Sequence, residues 1–177
     1  IGSNSTHPVA DAIKAAGGAT ESAALGRVQI IRATLPKPIS INFLQPGSEK
    51  VGLEDGDMVV VPARKAAVLG AVTKQGGINL VGTETLLDVI SQAGVNQGRL
   101  DQVVVVRAED VMAGTDKKEV YNLESSLQEG QKAIVNVAVR DGDVVYVPPK
   151  DGSQGLMGGG LSNIANILFM ARSLFSV

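Results

Sequence analysis

The stretch EDGDMVVVPAR occupies residues 54–64, and RDGDVVYVPPK occupies residues 140–150. Each begins with an Asp-Gly-Asp sequence, continues into β-branched residues and reaches a proline. Asp-Gly favours a tight turn because glycine accepts positive φ and aspartate accepts hydrogen bonds from nearby backbone. β-Branched residues prefer a pleated strand, and proline cannot donate to the ladder. Each stretch therefore predicts a turn and a short strand that ends at the proline.

The residues of these two turns are interpreted as turn-forming rather than catalytic. They are Asp55, Gly56 and Asp57 in the first stretch, which Glu54 precedes, and Asp141, Gly142 and Asp143 in the second. Calcium binding is an alternative, but the spacing lacks the additional oxygen ligands and the terminal glutamate of an EF-hand loop. We therefore expect no metal and no cofactor at these turns.

Three pairs of segments repeat in the same order along the chain. HPVADAIKAAGG (7–18) matches TETLLDVISQAG (83–94), and RVQIIRA (27–33) matches QVVVVRA (102–108). The two Asp-Gly-Asp stretches follow in turn. Each copy reads as a helix, a strand, a variable loop, then a turn and a strand, which predicts a tandem duplication.

A hairpin is predicted in only one of the two copies. AVLGAVTKQGGINLVG (67–82) reads as two short strands around KQGG, ahead of the second helix. Only IGSNST (1–6) precedes the first helix, and the chain starts with Ile1 rather than Met. We therefore expect that the first copy lacks its leading hairpin and that residues 1–177 belong to a longer protein.

The ordered set of hairpin, TLLDVISQAG, VVVVRA and VRDGDVVYVP resembles the soluble-ligand-binding β-grasp (SLBB) domain. The tandem arrangement resembles bacterial polysaccharide export proteins of the Wza type, and the similarity covers roughly residues 7–150. The domain that precedes such repeats in these exporters and a lipoprotein signal are not in the sequence, which we attribute to truncation.

The resemblance implies an α+β fold of two tandem β-grasp domains, each with a small mixed sheet and one packed helix. We expect the first domain at residues 1–64, the second at 65–150, a glycine-rich linker at 151–160 and a C-terminal helix at 161–177. The implied function is that of a structural component of an oligomeric conduit in the periplasm and outer membrane. Its cargo would be capsular or extracellular polysaccharide, and its partners would be further copies of the chain and an inner-membrane polysaccharide co-polymerase.

The C-terminal segment LSNIANILFMARSLFSV (161–177) has a single charge, Arg172, and no helix breaker. As a helix it would be about 25 Å long, at the lower end of what spans a bilayer. Apolar residues cover most of the helical wheel, and they would face lipid: Leu161, Ile164, Ile167, Leu168, Ala171, Leu174 and Phe175. A narrow polar face would line the lumen of a multi-copy barrel: Ser162, Asn166, Ser173 and Ser176. Packing of this helix on protein is the alternative.

Composition excludes several classes of function. With no cysteine there is no disulfide, thiolate zinc site or cysteine nucleophile, and His7 alone cannot support a catalytic triad. The net charge is −2 and the basic residues are scattered, so we expect no nucleic-acid binding. We predict that the chain is not an enzyme.

Two arginines occupy equivalent positions in the repeat. Arg32 and Arg107 lie on the matching predicted strands of the two copies, and both are candidates for pairing across a subunit interface. An exposed arginine at a strand end is the alternative. At the level of the whole chain, a β-grasp module that binds a small ligand and an envelope assembly or anchoring protein remain alternatives to the exporter.

Overall fold

The computed structural model describes residues 7–115, 117–125 and 137–150, together with Phe169. Over these residues the protein is α+β, with several short sheets and few helices. The chain divides into two compact units, Ile1–Ala63 and Arg64–Val177. The candidate linker and most of the C-terminal segment lie outside the described residues.

The first unit combines one α-helix with a three-stranded antiparallel sheet. Its elements are β1 (His7–Pro8), α1 (Val9–Ala15), β2 (Val28–Ile31), β3 (Ile39–Ile41), β4 (Gly52–Leu53) and β5 (Met58–Val60). The sheet has the strand order β3-β2-β5, and β1 pairs with β4 in a separate antiparallel ribbon. β2 is therefore the central strand of this sheet.

The core of the first unit is small because its helix and strands are short. Val9 and Ile13 lie one helical turn apart on α1 and contact the alternate strand residues Val28 and Ile30. Ile41 of β3 completes the buried cluster. A helix of seven residues is unstable alone, so α1 depends on this packing.

The second unit has a five-stranded mixed sheet. Its elements are β6 (Lys65–Gly70), β7 (Gly76–Asn79), α2 (Leu86–Ala93), β8 (Val103–Val106), α3 (Ala108–Ala113), β9 (Glu119–Tyr121) and β10 (Val144–Val147). The strand order is β7-β6-β10-β8-β9, in which β6 and β10 are parallel and all other neighbours are antiparallel. This unit therefore contains the predicted hairpin, β6–β7.

The apolar face of α2 forms the centre of the second core. Leu86, Val89, Ile90 and Ala93 are all buried, as their spacing predicts. Thr85 and Asp88 form a capping box at the helix start, which satisfies backbone N–H groups that would otherwise lack partners. The second core is larger than the first because Ala66 and Val68 of β6 and Leu80, the residue after β7, add to it.

The helices predicted within residues 7–18 and 83–94 and the predicted strands are present, and two details differ from expectation. The segments interpreted as variable loops contain further elements: β3 and β4 in the first unit, α3 and β9 in the second. The described sheet of the first unit is antiparallel, so only the second has the predicted mixed sheet.

Candidate functional site

The turn before β5 is closed by its own aspartate. The N–H of Glu54 donates to Asp57 Oδ2 at 2.9 Å, and the N–H of Asp57 donates to the carbonyl of Glu54 at 3.1 Å. Gly56 has a φ of +88°, a conformation that favours glycine. These bonds place the Asp57 carboxylate beside the end of β2.

Arg32 follows β2 and binds that carboxylate through two nitrogens. Its Nε donates to Asp57 Oδ1 at 2.9 Å and its Nη2 to Asp57 Oδ2 at 2.7 Å, which is the bidentate geometry that suits a guanidinium. Its Nη1 also reaches Glu54 Oε1 at 2.6 Å. The hydrogen bond from Arg32, and then that from the Glu54 N–H, lower the pKa of Asp57 below its usual value.

The turn before β10 is built in the same way. The N–H of Arg140 donates to Asp143 Oδ2 at 2.9 Å, and the N–H of Asp143 donates to the Arg140 carbonyl at 3.1 Å. Gly142 has a φ of +85°. Asp143 Oδ1 accepts a further bond from the N–H of Ala108, the first residue of α3.

Arg107 is the counterpart of Arg32 and has more partners. Its Nη1 donates to Asp143 Oδ2 at 2.8 Å and to the Ala138 carbonyl at 3.1 Å. Its Nε and Nη2 both donate to Glu119 Oε2, at 3.0 and 2.8 Å. The hydroxyl of Tyr121 donates to the same oxygen at 2.6 Å. The cluster of Arg107, Asp143, Glu119 and Tyr121, called here the Arg107 cluster, therefore joins β8, β9 and the turn before β10.

Burial and hydrogen bonding shift the pKa values of the charged groups in the Arg107 cluster in opposite directions. Asp143 is fully buried, and burial raises its pKa even though the N–H of Arg140 and the charge of Arg107 oppose the shift. Burial also acts to lower the pKa of Arg107, but bonding to Glu119 and the charge of Asp143 outweigh it, so that pKa is raised. Hydrogen bonds from Tyr121 and Arg107 lower the pKa of Glu119.

Equivalent hydrogen bonds occur inside each of the two units. The N–H of Ala24 donates to the Pro62 carbonyl at 2.8 Å, and that of Arg99 donates to the Pro148 carbonyl at 2.6 Å. A β-bridge likewise joins Ala23 to Ala63 in the first unit and Gly98 to Pro149 in the second. These bonds therefore occur at matching positions of the segments that repeat in the sequence.

The sequence-predicted residues fall into three groups. Both Asp-Gly-Asp sequences form turns, and Arg32 and Arg107 bind carboxylates of their own units. The arginine side chains are 17% and 14% exposed, and a contact of either with another subunit stays a prediction. The candidate membrane-facing and lumen-facing residues of 161–177 lie outside the described part of the chain.

Glu119 and Tyr121 are members of the Arg107 cluster that the sequence interpretation missed. They are two residues apart on β9, with Val120 between them and half exposed. Strand residues i and i+2 share a face of the sheet, so both side chains can reach Arg107. An alternation of three residues is too short to establish a period, so the sequence alone did not indicate this placement.

A groove of about 340 Å³ lies in the first unit between α1 and β5. It is lined by Ala12, Ile13 and Ala16 from the helix and by Val59, Val61 and Pro62 from the strand region. Its polar side chains are the hydroxyls of Thr20 and Ser22, and no charged residue lines it. This surface suits an apolar occupant.

Other kinds of site are not found in the described ranges. Over residues 7–115, 117–125 and 137–150, no group of three or more acidic, histidine or cysteine side chains is arranged to hold a metal ion. No helix in that same portion is long and apolar enough to cross a membrane.

Comparison with protein families identifies one domain. A family model described as "SLBB domain" matches residues 6–41, about a fifth of the chain. The match runs from just before α1 to the end of β3, so it lies in the first unit. No curated protein matches the chain. An SLBB domain is therefore confirmed at residues 6–41.

Proposed function

We propose that this chain is a structural component of an oligomeric conduit that exports capsular or extracellular polysaccharide across the periplasm and outer membrane. The observation that carries the proposal is the SLBB domain at residues 6–41, since SLBB domains are found in polysaccharide export proteins. The proposal includes a ring of identical chains, polysaccharide as cargo and an inner-membrane polysaccharide co-polymerase as partner.

The equivalent hydrogen bonds inside the two units support the proposal that the second unit is a β-grasp domain of the same kind. The Arg32–Asp57 and Arg107–Asp143 pairs connect equivalent strands and turns in the two units. A tandem pair of similar domains would give each chain two modules from which a wall could be built. In this proposal the domains form the wall and carry out no chemistry on the cargo.

The C-terminal segment completes the proposal. Residues 161–177 would form helices with apolar residues towards lipid and Ser162, Asn166, Ser173 and Ser176 towards a lumen. A polar face is costly in lipid unless several helices enclose it, so this role requires a multi-copy assembly.

Release of a trapped polymer from vesicles tests this function. The full chain would be reconstituted into lipid vesicles loaded with fluorescent dextran, and a chain ending at residue 160 would serve as the control. We expect dextran release with the full chain and none with the shorter one. Equal release, or retention in both samples, would rule out a conduit formed by the C-terminal helices.

A small-ligand-binding module is the second candidate, and the groove between α1 and β5 is the observation that favours it. Such a module would not need residues 161–177 for its activity. Binding of a small apolar ligand that is unchanged by deletion of those residues would favour this alternative.

A further inference from the structure

The five-stranded sheet of the second unit has two apolar faces. Side chains alternate between the two faces of a strand, and α2 packs on the face of Val103 and Val105. A second set of side chains lies on the other face, called here the outer face, and is buried to 8% exposure or less. The set consists of Ala67 and Leu69 of β6, Val104 and Val106 of β8, and Val144 of β10. None of these five belongs to the core around α2, so the outer face needs a covering layer of its own.

The equivalent face of the first unit is not built in this way. Gln29 of β2 stands at the position of Val104 in the repeat, and it pairs with the exposed Ser40 of β3. Met58, at the position of Val144, is 54% exposed. A face with polar residues at its centre is typical of the solvent side of an antiparallel sheet. The second apolar face is therefore a property of the second unit alone.

Within the described ranges, α3 follows β8 directly but is too short to cover the outer face. It begins against the turn before β10, and Val111 is its one buried residue. Leu69 and Val104 lie further along the sheet, opposite Tyr146 of β10. One buried side chain covers little of a face that extends over three strands. Most of the covering layer must therefore come from another segment.

The segment of residues 161–177 has the length and the apolar side that this layer requires. It is joined to the end of β10 through residues 151–160, and a linker of ten residues reaches about 33 Å when extended. As a helix the segment is about 25 Å long, whereas five strands span about 19 Å. One side of the helix would be apolar along its length: Ile164, Ile167, Ala171 and Leu174.

Phe169 indicates which side of this helix faces the protein. It is helical, and it is 78% exposed although it is a large apolar residue. Seven residues make about two helical turns, so Phe169 shares a face with Ser162 and Ser176. Ile167 and Ala171 lie on the opposite side. An exposed Phe169 fits a helix whose polar face is in water and whose apolar side is against protein.

We infer that residues 161–177 of the same chain dock as a helix on the outer face of the second unit when no membrane is present. Ile164, Ile167 and Ala171 face the buried side chains of β6, β8 and β10, and Ser162 and Ser176 face water. The apolar side of the helix contacts either the sheet or lipid, so docking and insertion into a bilayer exclude each other. The inference concerns the chain in water and does not require that the segment spans a membrane.

Cross-linking in detergent-free buffer tests the docking, since the chain has no cysteine of its own. Val120→Cys places a thiol at the rim of the outer face, because Val120 is half exposed and lies opposite Val104. A second cysteine is placed in the helix, and a short bismaleimide joins the two thiols, so that ideal disulfide geometry is not needed. The second cysteine replaces, one at a time, the apolar-side residues Ile164, Ile167, Ala171 and Leu174 or the polar-face residues Ser162, Asn166, Ser173 and Ser176.

The yield of cross-linked monomer should depend on the side of the helix. We expect about ten-fold more from the best apolar-side position than from any polar-face position, because docking raises the local concentration of that side near Val120. The matched control is Ser40→Cys in the first unit. Ser40 is exposed and lies opposite Gln29, as Val120 lies opposite Val104, but its face is not apolar. The control should show no preference for either side.

A chain ending at residue 160 gives a second test that needs no cysteine. Removal of the segment should uncover the outer face while the strands that form it remain. We therefore expect about three-fold more fluorescence from the dye ANS, which binds exposed apolar surface. The circular dichroism spectrum of the sheet, measured on the same sample, shows that the strands are still folded.

Several results would overturn the inference. They are equal cross-linking from both sides of the helix, the same side preference at Val120→Cys and Ser40→Cys, and unchanged ANS fluorescence after truncation. Cross-linked dimers in place of cross-linked monomers would also overturn it, because they would assign the contact to a second copy of the chain. None of these measurements is of dextran release, so failure here is distinguishable from failure of the transport proposal.

Discussion

At the scale of single residues, the two arginine–aspartate pairs join equivalent positions but differ in hydrogen bonding and in surroundings. Arg32 binds Asp57 through two nitrogens, whereas Arg107 binds Asp143 through one and also binds Glu119. Both aspartate side chains are buried, at 2% and 1% exposure, so either would carry a desolvation cost without its cation. Residues 54–56 beside Asp57 are exposed, so water can reach that carboxylate more readily once Arg32 is removed. The same substitution should therefore have unequal effects in the two units.

Arg107→Ala should destabilise the second unit by about 3–5 kcal/mol, because it leaves Asp143 buried and without its cation. Arg32→Ala should lower the free energy of unfolding of the first unit by clearly less. Urea unfolding of both variants and of the unmodified chain, followed by circular dichroism, measures the difference. Equal losses of stability for the two variants would contradict the expectation that water reaches Asp57 more readily than Asp143.

The two aspartates should also respond to pH with opposite sign. The pKa of Asp57 in the folded chain lies below its ordinary value of 3.8. Its contribution to the free energy of unfolding is therefore present above that pH and is lost as the pH falls through the folded pKa. The pKa of Asp143 in the folded chain is raised. Its contribution to the free energy of unfolding is therefore present below pH 3.8 and is lost as the pH rises through the folded pKa.

Comparison with asparagine variants isolates these contributions. Between about pH 3 and 7 the stability of the unmodified chain relative to Asp57→Asn should increase, and that relative to Asp143→Asn should decrease. The measurement is the free energy of unfolding of all three proteins across that range. Parallel pH profiles for the two variants would contradict the predicted signs.

At the scale of elements, the turns before β5 and β10 have the same conformation in different surroundings. Gly56 and Gly142 both have positive φ, but a Cβ at Gly56 would meet no atom within 4 Å, whereas one at Gly142 would lie 2.9 Å from the Cβ of Ala108. The second turn therefore tolerates a side chain less well, because α3 begins against it.

Gly56→Ala should destabilise the chain by about 1–2 kcal/mol, the usual cost of a left-handed conformation for alanine. Gly142→Ala should cost more because of the contact with Ala108. A double-mutant cycle with Ala108→Gly, measured by thermal unfolding, isolates that contact. A coupling energy of zero would show that the contact is relieved in another way.

Sequence patterns located the elements that carry a strong local signal and missed those defined by pairing. The Asp-Gly-Asp turns, the valine-rich strands and the spacing of Leu86, Val89 and Ile90 on α2 could all be predicted. β3 and β9 have three residues each, and they are strands because β2 and β8 present an edge to them. Their local sequence has no period long enough to indicate this.

The candidate sites were predictable to a similar degree. Equivalence of Arg32 and Arg107 followed from the repeat, but their intrachain carboxylate partners depend on tertiary contacts far apart in sequence. α3 had usable signals, with Glu109 and Asp110 in its first turn and Gly114 at its end. The groove could not be predicted, because it arises from elements that the first unit lacks in the described residues.

At the scale of the whole molecule, the account rests on assembly. Under the proposed function, the SLBB domain, the second unit and the predicted C-terminal helix would belong to a chain that works as one of several copies. Cores as small as those of these units are marginal alone, so contacts between copies would add stability as well as form a wall.

Particle mass measured by light scattering tests this account most directly. The full chain and a chain ending at residue 160 would each be measured in plain buffer and in detergent. The account predicts a single ring of defined copy number, with detergent needed only when residues 161–177 are present. Monomers of both chains under both conditions would contradict it.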